Sequence, residues 1–219
     1  MRRRAGLVVA ALSLAASTAQ AAPAWPDSPM GRLEALAVIE QLNGALLASR
    51  SATATLEAWC GDHHMATPAR VSAELVRGVD RPASAEVRQQ LQAGPDEVVK
   101  YRRVRLACGG HVLSEADNWY LPGRLTPEMN RLLETTDTPF GRAVQALHPM
   151  RQTLAAERLW SPLPPDWDRQ GAWTAAAVGG TLTIPPDLFR HRALLFDDQR
   201  RPFSEVVETY TAEVLDFQR

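Results

Sequence analysis

The stretch from Val98 to Pro122, VVKYRRVRLACGGHVLSEADNWYLP, decides how the chain is read. Two extended runs of β-branched, aromatic and charged residues meet at Gly109-Gly110, and paired glycines supply the positive φ that hairpin turns matched to strand twist require. The pattern predicts a β-hairpin. Alternation puts Val99, Tyr101, Arg103, Arg105 and Ala107 on one face of the first strand, and Val98, Lys100, Arg102, Val104, Leu106 and Cys108 on the other. Arg103 stands among Val99, Tyr101 and Ala107, where a guanidinium either snorkels to water or holds an anion.

Working outward, Thr126-Pro127 predicts a helix through EMNRLLE, with threonine as cap and proline in the first turn; Thr138-Pro139 repeats the signal ahead of Phe140. A helix start presents unpaired N–H groups, so the second start reads as a docking place for a carboxylate or phosphate, or as a capped surface helix with water at its mouth. A last hairpin is predicted with strands near Phe189–Phe196 and Phe203–Leu215. On its second strand Glu208 is the one acid on the more apolar face, with Ser204, Val206, Tyr210, Ala212 and Val214. Buried there, it needs a partner, or desolvation raises its pKa. The proline-rich run 161–186 reads as an inserted loop, either a lid or a decoration.

Upstream of the hairpin, Leu33, Leu36, Ala37, Ile39, Leu42, Leu46 and Leu47 recur at helical spacing, which predicts an amphipathic helix from Gly31 to Ser49. Ser51 is the predicted cap of a second helix running to about His64. A strand over Pro68–Val79 and a short helix over Ser84–Gln92 complete the pass. Asp62, His63 and His64 carry no metal prediction. Adjacent histidines do not share a helix face, and His111, His148 and His191 are scattered singly.

Residues 1–21 have the basic start, short apolar run and Ala19-Gln20-Ala21 site of a secretory signal peptide, which predicts a periplasmic or secreted chain without a membrane anchor. The remainder, 22–219, is read as a single domain. Of 219 residues 24 are basic and 25 acidic; without the three arginines of the leader, 21 basic residues face 25 acidic ones. That net of −4 gives no reason to expect nucleic acid or anionic lipid as a partner. Cys60 and Cys108 are either a disulfide, which an oxidising compartment allows, or two buried thiols.

Several of these runs carry a resemblance. YRRVRLACGG, then Pro122, then TDTPFGR resemble the centre of bacterial chorismate lyase, which cuts chorismate into 4-hydroxybenzoate and pyruvate. LLASRSATATLE is similar to that family's second-helix start, VSAELVRG to its next strand and RRPFSEVVETY to its final strand. The run SAEVRQQLQAGPDEVVKYRRVRL also resembles the UTRA ligand-sensing domains of bacterial regulators, which share the lyase fold. The resemblance implies an α+β fold, an antiparallel β-sheet with helices packed around it. It also implies a buried, cofactor-free pocket for a small aromatic carboxylate such as chorismate or 4-hydroxybenzoate. Carried over by position, the carboxylate-binding arginine falls on Arg103, the backbone amide beside it on Phe140, a further backbone contact on Ala52, and the carboxylate that meets the substrate hydroxyl on Glu208. The family tends to have methionine near Ala52 and leucine at Phe140. Backbone donors survive such changes; pocket volume does not.

Three functions follow as expectations. The first is an exported lyase in which Glu208 supplies acid–base chemistry without a metal. The second is a non-catalytic binding protein for an aromatic acid. The third is an interaction module whose pocket is filled by its own side chains. Export counts against simple transfer of the lyase activity, because chorismate is made in the cytosol. With no helix-turn-helix ahead of the domain, a complete transcription regulator is not expected.

Overall fold

The computed structural model describes residues 24–169 and 179–218. The leader at 1–21 and the middle of the 161–186 segment lie outside the described residues.

Six strands form one sheet: β1 (Val71–Leu75), β2 (Lys100–Cys108), β3 (His111–Tyr120), β4 (Met150–Arg158), β5 (Asp187–Phe196) and β6 (Pro202–Thr211). Their order is β1-β2-β3-β6-β5-β4, and every neighbouring pair is antiparallel. Both predicted hairpins are present, as β2–β3 and β5–β6. The fold is the expected α+β arrangement of an antiparallel sheet with helices packed around it.

The helices are α1 (Pro29–Ala48), α2 (Ala52–Asp62), α3 (Ala85–Gln90), α4 (Pro127–Thr135) and α5 (Phe140–Ala143). Ser28, Ser51, Ser84 and Thr126 each accept a backbone N–H three residues on, which satisfies one donor left over at each of the first four helix starts. α1 and α2 bury Ile39, Leu42, Leu46, Leu56 and Trp59 against the inner face of the sheet. α4 and α5 pack Met129, Leu133 and Phe140 on Tyr120, Leu195 and Phe203. α3 covers part of the outer face, with Val87 and Leu91 against Trp119, Leu121 and Leu194. Cys60 of α2 is bonded to Cys108 at the end of β2, with Cα atoms 6.4 Å apart. Of the two states left open for the cysteines, the structure has the disulfide.

Four expectations need correction. The stripe that α1 buries is Gly31, Ala35, Ile39, Leu42 and Leu46, whereas Leu33 and Leu47 are exposed. β1 is confined to Val71–Leu75, which pairs with Val104–Cys108, while β2 runs on past it to Lys100. β6 stops at Thr211, whose hydroxyl accepts the N–H of Glu213 and starts a 3-10 turn over Ala212–Leu215. β4 was not predicted at all. MRQTLAAER has neither β-branched enrichment nor alternation, because this edge strand has one neighbour and is mostly exposed.

Candidate ligand-binding site

Register arranges the inner face of the sheet in rows running across the strands. One row is Arg102–Asn118–Val206–Ala193, the next Val104–Ala116–Glu208–His191, and the next Leu106–Ser114–Tyr210–Phe189. Between the apolar cluster under α1 and α2 and the cluster under α4 and α5, this face carries charge. A cavity opens there, with about 590 Å³ of empty space including its mouth. The sheet supplies Arg102, Asn118 and Glu208 to it, β4 supplies Arg151, and the rim is Ser51, Ala52 and Thr53 of the α2 start with Phe140 and Gly141 of α5.

Three of the four residues assigned from sequence meet here. Ala52 opens α2 and is buried, Phe140 opens α5, and Glu208 points inward as its parity required. Phe140 packs on Tyr120 and Phe203, with ring centroids 5.6 and 6.3 Å away. α5 is a single turn of four residues, so it brings little of the helix dipole that the TPFG start implied. Instead α5 is fastened to α2 through the Arg142–Glu57 ion pair. A Cβ at Gly141 would stand 3.2 Å from the hydroxyl of Thr53 and 3.3 Å from that of Ser51, so glycine permits this close seam at the rim.

Arg103 is the correction. It projects from the opposite face of β2, where its guanidinium lies 2.7 Å from Glu115, draws that carboxyl below its usual range, and leaves the side chain 31% exposed. Arg102 occupies the pocket instead. The side-chain period in a strand is two, so a one-residue offset moves an assignment to the other face. The signal was available, since Arg102 shares its face with Val104, Leu106 and Cys108. Arg103→Ala is expected to cost at most about 1 kcal/mol, as a partly exposed pair does, and to leave the pocket unchanged; thermal melting with and without ligand reads both.

Arg102 is 5% exposed. One Nη donates to the carbonyl of Thr138 at 3.0 Å, and the buried Nε has no partner. Among the described residues no carboxylate pairs with it. Burial pulls its pKa down from 12.5 to about 10, so at neutral pH a charged guanidinium is held there without a counter-ion. Asn118, its cross-strand neighbour, accepts from Ser204 through Oδ1, leaving the amide nitrogen for the pocket.

Glu208 has a partner, which resolves the alternative left by its parity. Arg151 Nη2 lies 2.6 Å from Glu208 Oε2, and the Tyr210 hydroxyl donates to the same oxygen at 3.1 Å. The Arg151 and Glu208 side chains are 4% and 7% exposed. Burial alone would lower the Arg151 pKa, but the Glu208 charge and hydrogen bond together with Tyr210 outweigh it, and the net shift is upward. His191, beside Glu208 in the sheet, has its pKa lowered by burial. Its Nε2 lies 2.8 Å from Asn43 Oδ1, while Asn43 itself donates to Glu40, so Nε2 carries the proton and buried Nδ1 is left unpartnered. The buried charged groups of the pocket are therefore two guanidiniums and one carboxylate, a net of +1.

His111, Glu213 and Asp216 present ligating atoms within 4.8 Å of one another, but none lines the cavity, and Glu213 accepts the Val112 N–H. His63, from the Asp62-His63-His64 run, packs at a tilt against both Trp59 and Phe217.

The fold and the site together define an α+β domain with a buried, cation-rich pocket on the inner face of its sheet. Over 211 residues the chain is 48% identical to the uncharacterized protein y4mC of Sinorhizobium fredii (strain NBRC 101917 / NGR234), across 96% of this chain and 89% of that one, and it belongs to the family of that protein. No protein-family model matches it. Among solved structures it is similar to PhnF from Mycobacterium smegmatis (12% identity, 78% of this chain and 68% of that chain, TM-score 0.47) and to the effector domain of PhnF (14%, 74% and 89%, 0.46). It is also similar to the possible transcriptional regulator YydK of Bacillus subtilis, of which it spans 62% (15% identity, 68% of this chain, TM-score 0.40).

Proposed function

We propose that the chain is an exported binding domain for a small aromatic carboxylate, with Arg102 as the anchor for the carboxylate. The observation that carries this is a deeply buried guanidinium with no counter-ion among the described residues, set in a cavity whose other walls are largely apolar. A carboxylate accepting from Arg102, with help from Asn118, would supply the missing charge and satisfy its open N–H groups. Val104, Leu106, Phe140, Leu195 and Val206 offer apolar surface to a ring. The resemblance to chorismate lyase supports the same ligand class, and the resemblance to UTRA domains supports a small-molecule ligand. The leader and the disulfide support export, because disulfides persist in oxidising compartments.

The test is ligand-dependent stabilisation. 4-Hydroxybenzoate is expected to raise the melting temperature with concentration, as mass action requires, and the rise is expected to vanish in Arg102→Ala. No stabilisation by any aromatic carboxylate, or equal stabilisation in the variant, would sink the reading.

A second reading, elimination of pyruvate from chorismate, is favoured by one detail. Both hydrogen bonds to Glu208 fall on Oε2, leaving Oε1 for the cavity. In that reaction the ether C–O bond breaks, the adjacent ring carbon gives up its proton, and the released enolpyruvate takes up a proton to become pyruvate. Ion-paired to Arg151, Glu208 fits the acceptor role better than the donor role. Equimolar 4-hydroxybenzoate and pyruvate from chorismate would establish it, and binding without turnover would leave a binding protein.

A further inference from the structure

The tip of the β2–β3 hairpin, where His111 pairs with Cys108, lies at the far end of these strands from the Arg102–Asn118 pair. Beside it runs the 3-10 turn Ala212–Leu215, into which β6 passes. Residues three apart in a 3-10 turn eclipse each other, so Glu213 in the turn and Asp216 at its C-cap bring both carboxylates to one side. His111 completes a trio whose ligating atoms all lie within 4.8 Å of one another, each residue half-buried. Among the described residues neither carboxylate pairs with an arginine or lysine. His111 Nδ1 stands 3.8 Å from Asp216 Oδ2, too far for a hydrogen bond. A metal-binding imidazole is neutral, so the trio offers two negative charges to a divalent cation.

We infer that His111, Glu213 and Asp216 form a binding site for a divalent transition-metal ion, best matched by zinc, with water filling the position the protein leaves open. The site is separate from the pocket and independent of the reading of Arg102. An imidazole nitrogen and carboxylate oxygens are ligands that zinc takes at about 2.0–2.2 Å. Calcium takes roughly six to eight oxygens, and magnesium keeps several of its waters. Zinc ligands in a tetrahedron stand about 3.3–3.6 Å apart, so closing on the ion moves each side chain by about 1 Å at most. Half-exposed side chains have that freedom. Their backbones are held from the other side, where Trp59 Nε1 donates to the Val214 carbonyl at 3.0 Å and Trp25 Nε1 to the Leu215 carbonyl at 3.3 Å. Ligating carboxylates are themselves hydrogen-bonded in metal sites. Here the Val112 N–H donates to Glu213 Oε2 at 2.6 Å and leaves Oε1 for the ion. A bound ion would tie the tip of the first hairpin to the segment that leaves the second.

The experiment is calorimetric titration of the full chain, carrying no histidine tag and stripped of metal by chelation, with zinc, calcium and magnesium chlorides in turn. One zinc per chain is expected, with calcium and magnesium much weaker. Zinc at about 100 times its dissociation constant is expected to raise the melting temperature by about 5–10 °C. Asp216→Asn and Glu213→Gln preserve side-chain size, and glutamine keeps an oxygen for the Val112 N–H. Both are expected to melt within about 2 °C of the wild type without metal and to bind zinc at least about 10-fold more weakly, as is His111→Ala. His64→Ala, at an exposed histidine outside the trio, is expected to titrate as the wild type does. Zinc binding that survives all three ligand substitutions, or that is lost with His64, would place the ion elsewhere and overturn the inference. So would tighter binding of calcium or magnesium, or no binding at all. Should a substitution unfold the chain, cobalt(II) bound to the wild type reads the same site: the intense visible bands of a low-coordinate ion are expected, and the spectrum of the aqueous ion would overturn the assignment.

Discussion

Arg102→Met is expected to melt several degrees higher than the wild type in the absence of ligand, while losing ligand-dependent stabilisation altogether. The depressed pKa of Arg102 measures what its burial costs: a shift from 12.5 to about 10 corresponds to about 3 kcal/mol. Methionine of similar length removes that penalty and keeps contact with Val104 and the apolar wall. The loss of the bond to the Thr138 carbonyl returns about 1 kcal/mol. The balance, about 2 kcal/mol, is about 4–8 °C for a domain of this size. On the proposed reading, the stability that Arg102 costs is offset by the ligand it binds. Scanning calorimetry decides the matter: a variant that melts lower than the wild type would make the guanidinium a structural group and leave the pocket without an anchor.

The larger loss is expected from removing the disulfide. Cys60→Ala with Cys108→Ala opens a loop of 48 residues, which the chain-entropy account puts at about 4 kcal/mol, or about 8–16 °C. Both sulfurs are fully buried. Reductant is therefore expected to lower the melting temperature to that of the double variant only after a cycle of unfolding, and to leave the folded protein unaffected beforehand. Equal melting temperatures for wild type and double variant would show that the bond contributes nothing. Because it joins the C-terminal half of α2 to the end of β2, it also holds the helix that contributes the pocket rim to the strand that carries Arg102.

How much of this was legible in sequence differs from residue to residue. Gly109-Gly110 and the alternation around them placed the central hairpin, and the Ser51 and Thr126 caps placed two helices. Glu208 was legible because its strand alternates cleanly between an apolar and a polar face. Arg102 was missed by one position: alternation defines two faces without saying which is inside, and the resemblance was carried onto Arg103. Counting apolar neighbours on each face would have favoured Arg102. Arg151 left no such trace. It lies on an edge strand whose composition suits a helix, and its partner is 57 residues away. The one-turn length of α5 was also hidden, since a Thr-Pro start marks where a helix begins and says nothing of where it ends.

The order of strands bears on how the pocket comes into being. β2–β3 and β5–β6 are hairpins, each able to form from neighbouring segments of chain, whereas β3 and β6 are joined across about ninety residues of sequence. Arg102 and Asn118 belong to the first hairpin and Glu208 to the second. Pairing this remote forms late, after the loop-closure entropy has been overcome, so neither half holds a pocket by itself. A ligand spanning the two hairpins would act on the fully assembled state, lengthening the lifetime of the folded protein while leaving its folding rate nearly unchanged.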